Sequence, residues 1–417
     1  MKDLLLGNVV ADLHLRDRLL TVDSAIVISP GGKYHAVGSL YTDLAITSRE
    51  IDRLPDLPID LRVTVDDTRF DLVSLLLPSV EELEGKLHVD LHLSGKPSQP
   101  HLEGEAYLKH AWLKYFDLVD TLYTDSAGVV MQDNKIIIDR IETYVHDYRN
   151  RNAKRYAILE GDITVTAIDK LYYDVNVSLP REFPFRYELD NITGIVEGDL
   201  HVIGEHPPLV EGDLTVLAMR YEVNFADPGE SSALITALTS ENSWDLDLNV
   251  DIPSNYWIRN EDIDAEFSGT INLIREKGQY RFAGEMEILR GKGFLFDKTL
   301  RFDPGSRVVF EDIEYPNPRL DITARTRIPR PQSPFEEAGT PHDVELGIHV
   351  GGTLEHPDIE PLPNDEGLTR EDILPLLIAN YYSEAGTAAQ GGWSSRLSQV
   401  VASQVSQIGT RQFSRLG

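Results

Sequence analysis

His88, Asp90 and His92 occupy alternate positions of "KLHVDLHLS", and side chains at i, i+2 and i+4 of an extended strand share one face. Imidazole and carboxylate on a shared face are the donor types of a zinc site, but no third histidine follows nearby, so a solvated polar face is the expected role. Asp245, Asp247 and Asp251 offer oxygen donors for calcium but lack the glycine-centred loop that hard-cation sites use, and again a solvated face is expected. No Gly-rich loop leads from a strand into a helix with a following Lys or Ser/Thr. Gly-x-Ser-x-Gly and His-Glu-x-x-His are also absent, and there are no cysteines to act as nucleophiles or thiolate ligands. The sequence therefore predicts a non-enzymatic protein with no catalytic, metal or cofactor residues. Tyr172-Tyr173 and Tyr381-Tyr382 are expected to pack in a core or at its rim.

The informative chemistry lies in the elements that carry these residues. Leu87, Val89, Leu91 and Leu93 alternate with His88, Asp90 and His92, and Leu246, Leu248, Val250 and Ile252 alternate with Asp245, Asp247, Asn249 and Asp251. The same period of two recurs at Ile59, Leu61, Val63, Val65; at Ile163 and Val165; at Tyr173, Val175, Val177, Leu179; at Leu320, Ile322, Ala324; and at Val344, Leu346, Ile348, Val350. Strict alternation marks strands with one dry and one wet face, which is the antiparallel pattern; parallel sheets covered by helices give continuous apolar runs instead. In "RFDPGSRVVFEDIEYPNPRLDITARTRI" two such strands are separated by Pro316-Asn317-Pro318, which predicts a ladder stopped at an edge before the chain turns.

The connections repeat as well. "GKLHVDLHLSGKPSQPHLEGEAYLK" from Gly85 and "GIVEGDLHVIGEHPPLVEGDLTVLA" from Gly194 share the order Gly, strand, Gly, proline-containing turn, Leu, acid, Gly, strand, and a looser copy starts at Gly269. Such units predict an array in which each packs mainly on its neighbours. Only the end departs from this. Thr369 and Asp372 are placed to cap a short helix carrying Ile373, Leu376, Leu377 and Tyr381, bent at Pro375. A Gly/Ala-rich linker follows, and then an amphipathic helix with Trp393, Leu397, Val400, Val401, Val405 and Ile408 on one arc.

The 417 residues carry a formal charge of −30, which repels phosphate backbones and excludes nucleic acid as a partner. The apolar faces of so many strands exceed the few hundred Å² that a soluble monomer leaves exposed. The sheet must therefore fold on itself, close, or bend into a trough that shelters a ligand. Lipid suits the trough, because a wet acyl chain loses about 0.8 kcal/mol per CH₂.

From Glu287 to Tyr382 the chain closely resembles the C-terminal conserved domain of the TamB family. The resemblance is carried by Arg290-Gly291 opening a strand, Asn317, Pro318, Leu320 and Asp321, the turn of Gly352, Thr353 and Pro357, and the acidic helix start at Asp372, Ile373 and Leu374. The upstream repeats resemble the AsmA-like repeats of the same superfamily. This implies AsmA-like β-groove repeats over 1–265, the conserved β domain over 266–367 and a helical segment over 368–417. The implied fold is all-β, an elongated curled antiparallel sheet (β-taco) with an apolar interior and short C-terminal amphipathic helices. The implied function is a periplasm-spanning bridge in a diderm bacterium, carrying phospholipid along the groove between inner and outer membranes; the alternative is assembly of outer-membrane proteins by β-augmentation. Lining candidates are Leu87, Val89, Leu91, Leu93, Ile163, Val165, Val175, Val177, Leu246, Leu248, Val250, Ile252, Leu320, Ile322, Leu346 and Ile348. Implied partners are phospholipid acyl chains, an Omp85-type (TamA-like) barrel, and the inner membrane through an anchor upstream of Met1. Family members also continue into further strands beyond the position of Gly417.

Overall fold

The computed structural model describes residues 8–29, 31–43, 54–67, 80–115, 119–187, 192–222, 244–260, 263–277, 279–295, 298–313, 318–329, 343–353, 356–363, 373 and 377. Within them are twenty strands, with helical backbone only at Ile373 and Leu377, so the all-β expectation holds. Pro316, Asn317, Asp372, Leu374, the linker and the helix after Trp393 lie outside the described residues. The chain packs as two units, Met1–Glu188 with Ile195–Leu214 and Trp244–Leu246, and Leu189–Gly194 with Thr215–Ser243 and Asp247–Gly417.

The first unit contains β1 (Asn8–Arg16), β2 (Leu19–Ile28), β3 (Gly32–Tyr41), β4 (Ile59–Asp67), β5 (Val80–Lys96), β6 (Gln99–Tyr115), β7 (Leu122–Asp133), β8 (Lys135–Asp147), β9 (Asn150–Ala167) and β10 (Lys170–Tyr187). Each strand pairs antiparallel with the next, with no crossover among these ten. Because side chains alternate with period two, the register decides whether dry faces coincide. Here they do. Ala11, Ala25, Ala36, Val63, Leu91, Gly104, Met131, Ile136, Ile163 and Tyr173 stand opposite one another, one from each strand.

Over β5–β10 the ladder curls. The turn after β5 meets the turn after β9, where the Ile168 amide donates to the Pro97 carbonyl at 2.9 Å, passing over the shorter β7–β8 hairpin. On the other rim the Val119 amide donates to the Arg186 carbonyl at 3.0 Å, passing over the β8–β9 turn. These contacts span strands that a flat sheet would hold roughly 14 Å apart, at about 4.8 Å per step.

The end of β11 (Ile192–Glu205) and the start of β12 (Leu209–Tyr221) also belong to the first unit. The second unit contains most of β13 (Asp245–Arg259), β14 (Ile263–Glu276), β15 (Gln279–Leu295), β16 (Lys298–Phe302), β17 (Arg307–Ile313), β18 (Arg319–Pro329), β19 (Asp343–Gly352) and β20 (Pro357–Pro361). One course of its ladder is filled by two short strands. β17 pairs with Phe282–Glu287 of β15 and β16 pairs with Lys292–Leu295, and both then pair with β18. The turn Asp303–Ser306 splices them. Buried Ser306 accepts from the Thr323 amide at 3.0 Å, and its own carbonyl accepts from the Ile288 amide at 2.7 Å. β17 and β18 are therefore antiparallel neighbours despite the proline-rich connection.

Curling crowds the concave face, and glycine relieves it. Gly104 has φ +142°, and a Cβ placed there would lie 1.9 Å from the Asp90 carbonyl oxygen of β5. That backbone region is open essentially to glycine alone and marks a close approach of strands. Gly104→Ala is expected to lower unfolding free energy by at least about 2 kcal/mol. Urea titration followed by circular dichroism measures it; an unchanged midpoint means that the glycine serves no steric purpose.

Candidate functional site: the inward aliphatic face

The row through Leu91 has apolar residues in the rows beside it. Val27, Tyr34, Val65, Val89, Ala106 and Val129 form one of them, by direct pairing from β2 to β7. Across β5–β10 the buried Leu102, Met131 and Val165 pack with Leu91, Leu93, Ala106, Ile136 and Leu171. Leu87, Val89, Leu91, Leu93, Ile163 and Val177 stay half-buried, whereas Val165 and Val175 are buried. Side chains sealed against a second layer lose nearly all their exposure. On this face most keep part of theirs. On β13, Leu246, Leu248 and Val250 are likewise half-buried and Ile252 is buried. In the second unit Ile322 is half-buried, while Leu320, Leu346 and Ile348 are buried.

Polar residues bound this face at the hairpin ends. At the β3–β4 rim the Tyr34 hydroxyl donates to the buried Asp67. At the β8–β9 turn Asp147, 2% exposed, accepts from Arg149 Nη2 at 2.9 Å and Arg155 Nε at 3.2 Å, and Glu182 of β10 lies 2.7 Å from Arg155 Nη2. Arg186 makes a bidentate pair with the nearby Asp120, with Nη2–Oδ1 at 2.6 Å. Such networks fix geometry because an unpaired charge at a buried position is costly.

The outward face carries the charges, and here the structure separates residues that the sequence puts together. His88 Nδ1 lies 2.7 Å from Asp66 and His92 Nε2 lies 2.8 Å from Asp60, each taken by a carboxylate of β4. Neither histidine shares a ligand position with Asp90. Asp247 and Asn249 accept from the Asn272 amide, and Asp251 from the Thr270 hydroxyl, so the acidic row on β13 is tied to β14. The sequence reading missed Asp12, His14 and Asp23, whose ligand atoms come within 4.8 Å of one another only through β1–β2 pairing. All three are exposed, and the His14–Asp23 ion pair at 3.1 Å accounts for the approach.

The described family-motif residues sit at bulges, turns and strand starts. Arg290 Nε lies 2.6 Å from the buried Glu266, beside a bulge in the β14–β15 ladder. A Cβ on Gly291 would fall 2.5 Å from Ala265, which explains the small residue after Arg290. Leu320 faces inward, while Asp321 on the opposite face lies 3.0 Å from both His349 Nε2 and Arg307 Nε; His349 first and Arg307 second hold its carboxyl below the ordinary range. Pro318 is buried at the mouth of β18. Gly352, at φ +73°, and Thr353 form the β19–β20 turn, which is closed by paired backbone bonds between Thr353 and His356, with Pro357 buried opposite Gly352.

An antiparallel meander with aliphatic side chains registered on one face defines an all-β sheet protein. The chain belongs to the TamB family: its residues 149–417 match the TamB C-terminal domain. Comparison with curated proteins gives no match. Membership places the protein in the bacterial cell envelope, in the setting of the translocation and assembly module. Among the described residues no helix is long and apolar enough to cross a membrane.

Hydrogen bonds from Arg149, with help from Arg155, hold the Asp147 carboxyl down at about 2 against an ordinary 3.8. A depressed carboxylate stabilises the fold above its unfolded value and loses that contribution as pH falls toward its folded value. Asp147→Asn should therefore cost on the order of 2 kcal/mol at pH 7. The gap between variant and native should narrow from about pH 4 down to about pH 2 in parallel denaturation curves. A gap independent of pH would remove the charge from the account.

Proposed function

We propose that the inward face carries phospholipid acyl chains between the inner and outer membranes of a diderm bacterium. In this reading the protein is a conduit and no catalyst, held at the inner membrane by an upstream anchor and delivering to an Omp85-type (TamA-like) barrel. The observation that carries the proposal is the registered row across β1–β10, apolar at each strand apart from Gly104, in which Leu91 and Ile163 keep part of their surface exposed. An acyl chain of about sixteen carbons gains some 12 kcal/mol by leaving water, and a registered aliphatic face offers that shelter along successive strands. The outward acids suit a wet periplasm and give anionic headgroups no reason to bind the wrong side.

A second reading has one observation of its own. β1 exposes Val9, Val10, Leu13 and Leu15 at 50–64% and is paired on one edge by β2, so its other edge can accept a further strand by β-augmentation. The two readings respond differently to substitution. Leu91→Asp with Ile163→Asp should remove co-purifying phospholipid, measured by mass spectrometry, and abolish function in cells while the circular dichroism of the chain is unchanged. Under the assembly reading Leu13→Pro is the damaging change and the groove charges are tolerated. Full lipid occupancy in the double aspartate variant would sink the conduit.

A further inference from the structure

Two outward histidines of the first unit, His92 and His201, stand between carboxylates of the strands on either side. His201 of β11 has one carboxylate at each ring nitrogen: Asp174 Oδ1 of β10 lies 2.8 Å from Nε2, and Glu211 Oε1 of β12 lies 3.4 Å from Nδ1. The other repeat copy builds the same arrangement at the same place. His92 follows Gly85 by seven residues, as His201 follows Gly194, and it lies 2.8 Å from Asp60 of β4 through Nε2 and 4.0 Å from Glu103 of β6 through Nδ1. A neutral imidazole has a single N–H and turns a bare lone pair on one of two flanking carboxylates, whereas the imidazolium donates to both.

The neighbours separate the two copies. Arg62 of β4 stands directly opposite His92, so a permanent positive charge already offsets the acids there. Around His201 the ionisable groups are Asp174 and Tyr172 of β10, Glu211 and Asp213 of β12, and Asp199 beside it on β11. None of these can be cationic, so within this group the compensating charge comes only from a proton on His201. We propose that His201 is a proton-operated tie across β10, β11 and β12, closed when the ring is protonated and released from Glu211 when it is neutral, its one N–H then staying with the nearer Asp174. The hydrogen bond to Asp174 chiefly, with Glu211 adding to it against burial, raises His201 above the ordinary 6.5. A raised imidazole stabilises the fold fully below its unfolded value and loses that contribution as pH rises through its folded value. The tie therefore closes as the surroundings acidify, opposite in sign to the Asp147 network, and it needs no lipid on the inward face.

Asp174 and Glu211 are about half exposed, so solvent screening keeps the effect local and the test must resolve single strands. Amide hydrogen exchange of the full chain, corrected for the intrinsic pH dependence of exchange, should show β11 and the start of β12 at least about threefold better protected at about pH 5.5 than at about pH 8.5. His201→Gln should bring that ratio close to unity, and His201→Arg, a permanent cation, should keep the protection at both pH values. A titration of the native chain by NMR, with labelled histidine, stands apart from any folding defect of the variants: His201 should titrate above the ordinary 6.5 and carry protons on both ring nitrogens in acid. Titration at or below that value, or pH-dependent protection of β11 that persists in the His201→Gln chain, overturns the tie.

Discussion

The whole architecture depends on keeping aliphatic side chains on one face of an antiparallel ladder in register from strand to strand. A slip of one residue would turn an entire strand's Leu and Val into water and its Asp and His into the groove. The direct pairing of Val63 with Leu91, Leu91 with Gly104, and Ile136 with Ile163 shows the register maintained through strands far apart in sequence. Short turns such as those after β1, β5, β7, β8 and β9 enforce it locally, because a meander fixes each strand against the one just made. Outward pairs such as Asp66 with His88 add cross-strand contacts on the wet side.

Register alone would give a flat sheet with an exposed greasy side. Curling is what shelters that side, and it brings backbones closer than side chains permit. Gly104 and its counterparts solve this by removing the Cβ at the point of contact, which is why a Gly followed by an acid or Thr recurs in strand after strand: the glycine admits the bend, and the next residue points to water. The rims are then tied by polar groups, Asp147 with Arg149 and Arg155 on one side and Tyr34 with Asp67 on another. In the second unit Leu346 and its neighbours are buried in a cluster that includes Ile373 and Leu377.

Much of this was legible beforehand. The alternation of Leu87 to Leu93 against His88 to His92 fixes strand type, polarity of faces and the antiparallel class, because a period of two has no other stable realisation at that length. The repeated glycine–acid units and the Arg290–Leu374 motif order led to the TamB family, to which residues 149–417 conform. Less legible was the splice of β16 and β17 into one ladder course: the Asp303–Ser306 turn reads as an ordinary loop, and only Ser306's bonds to Thr323 and Ile288 make it part of the sheet. The Asp12–His14–Asp23 proximity was also hidden, since it comes from β1–β2 pairing and not from spacing.

What the sequence determined by itself is therefore local and periodic: which residues are dry, which are wet, where the chain turns, and that the outer surface is acidic. Those properties follow from side-chain type and a two-residue repeat, which need no knowledge of distant contacts. The tertiary structure decided which dry faces stay open and which are filled. Leu91 and Leu346 look alike in sequence, each an aliphatic position in an alternating strand, yet one remains half-buried and the other is fully buried in a cluster with Ile373 and Leu377. Burial of this kind depends on what another part of the chain brings to the face, and no periodicity encodes that.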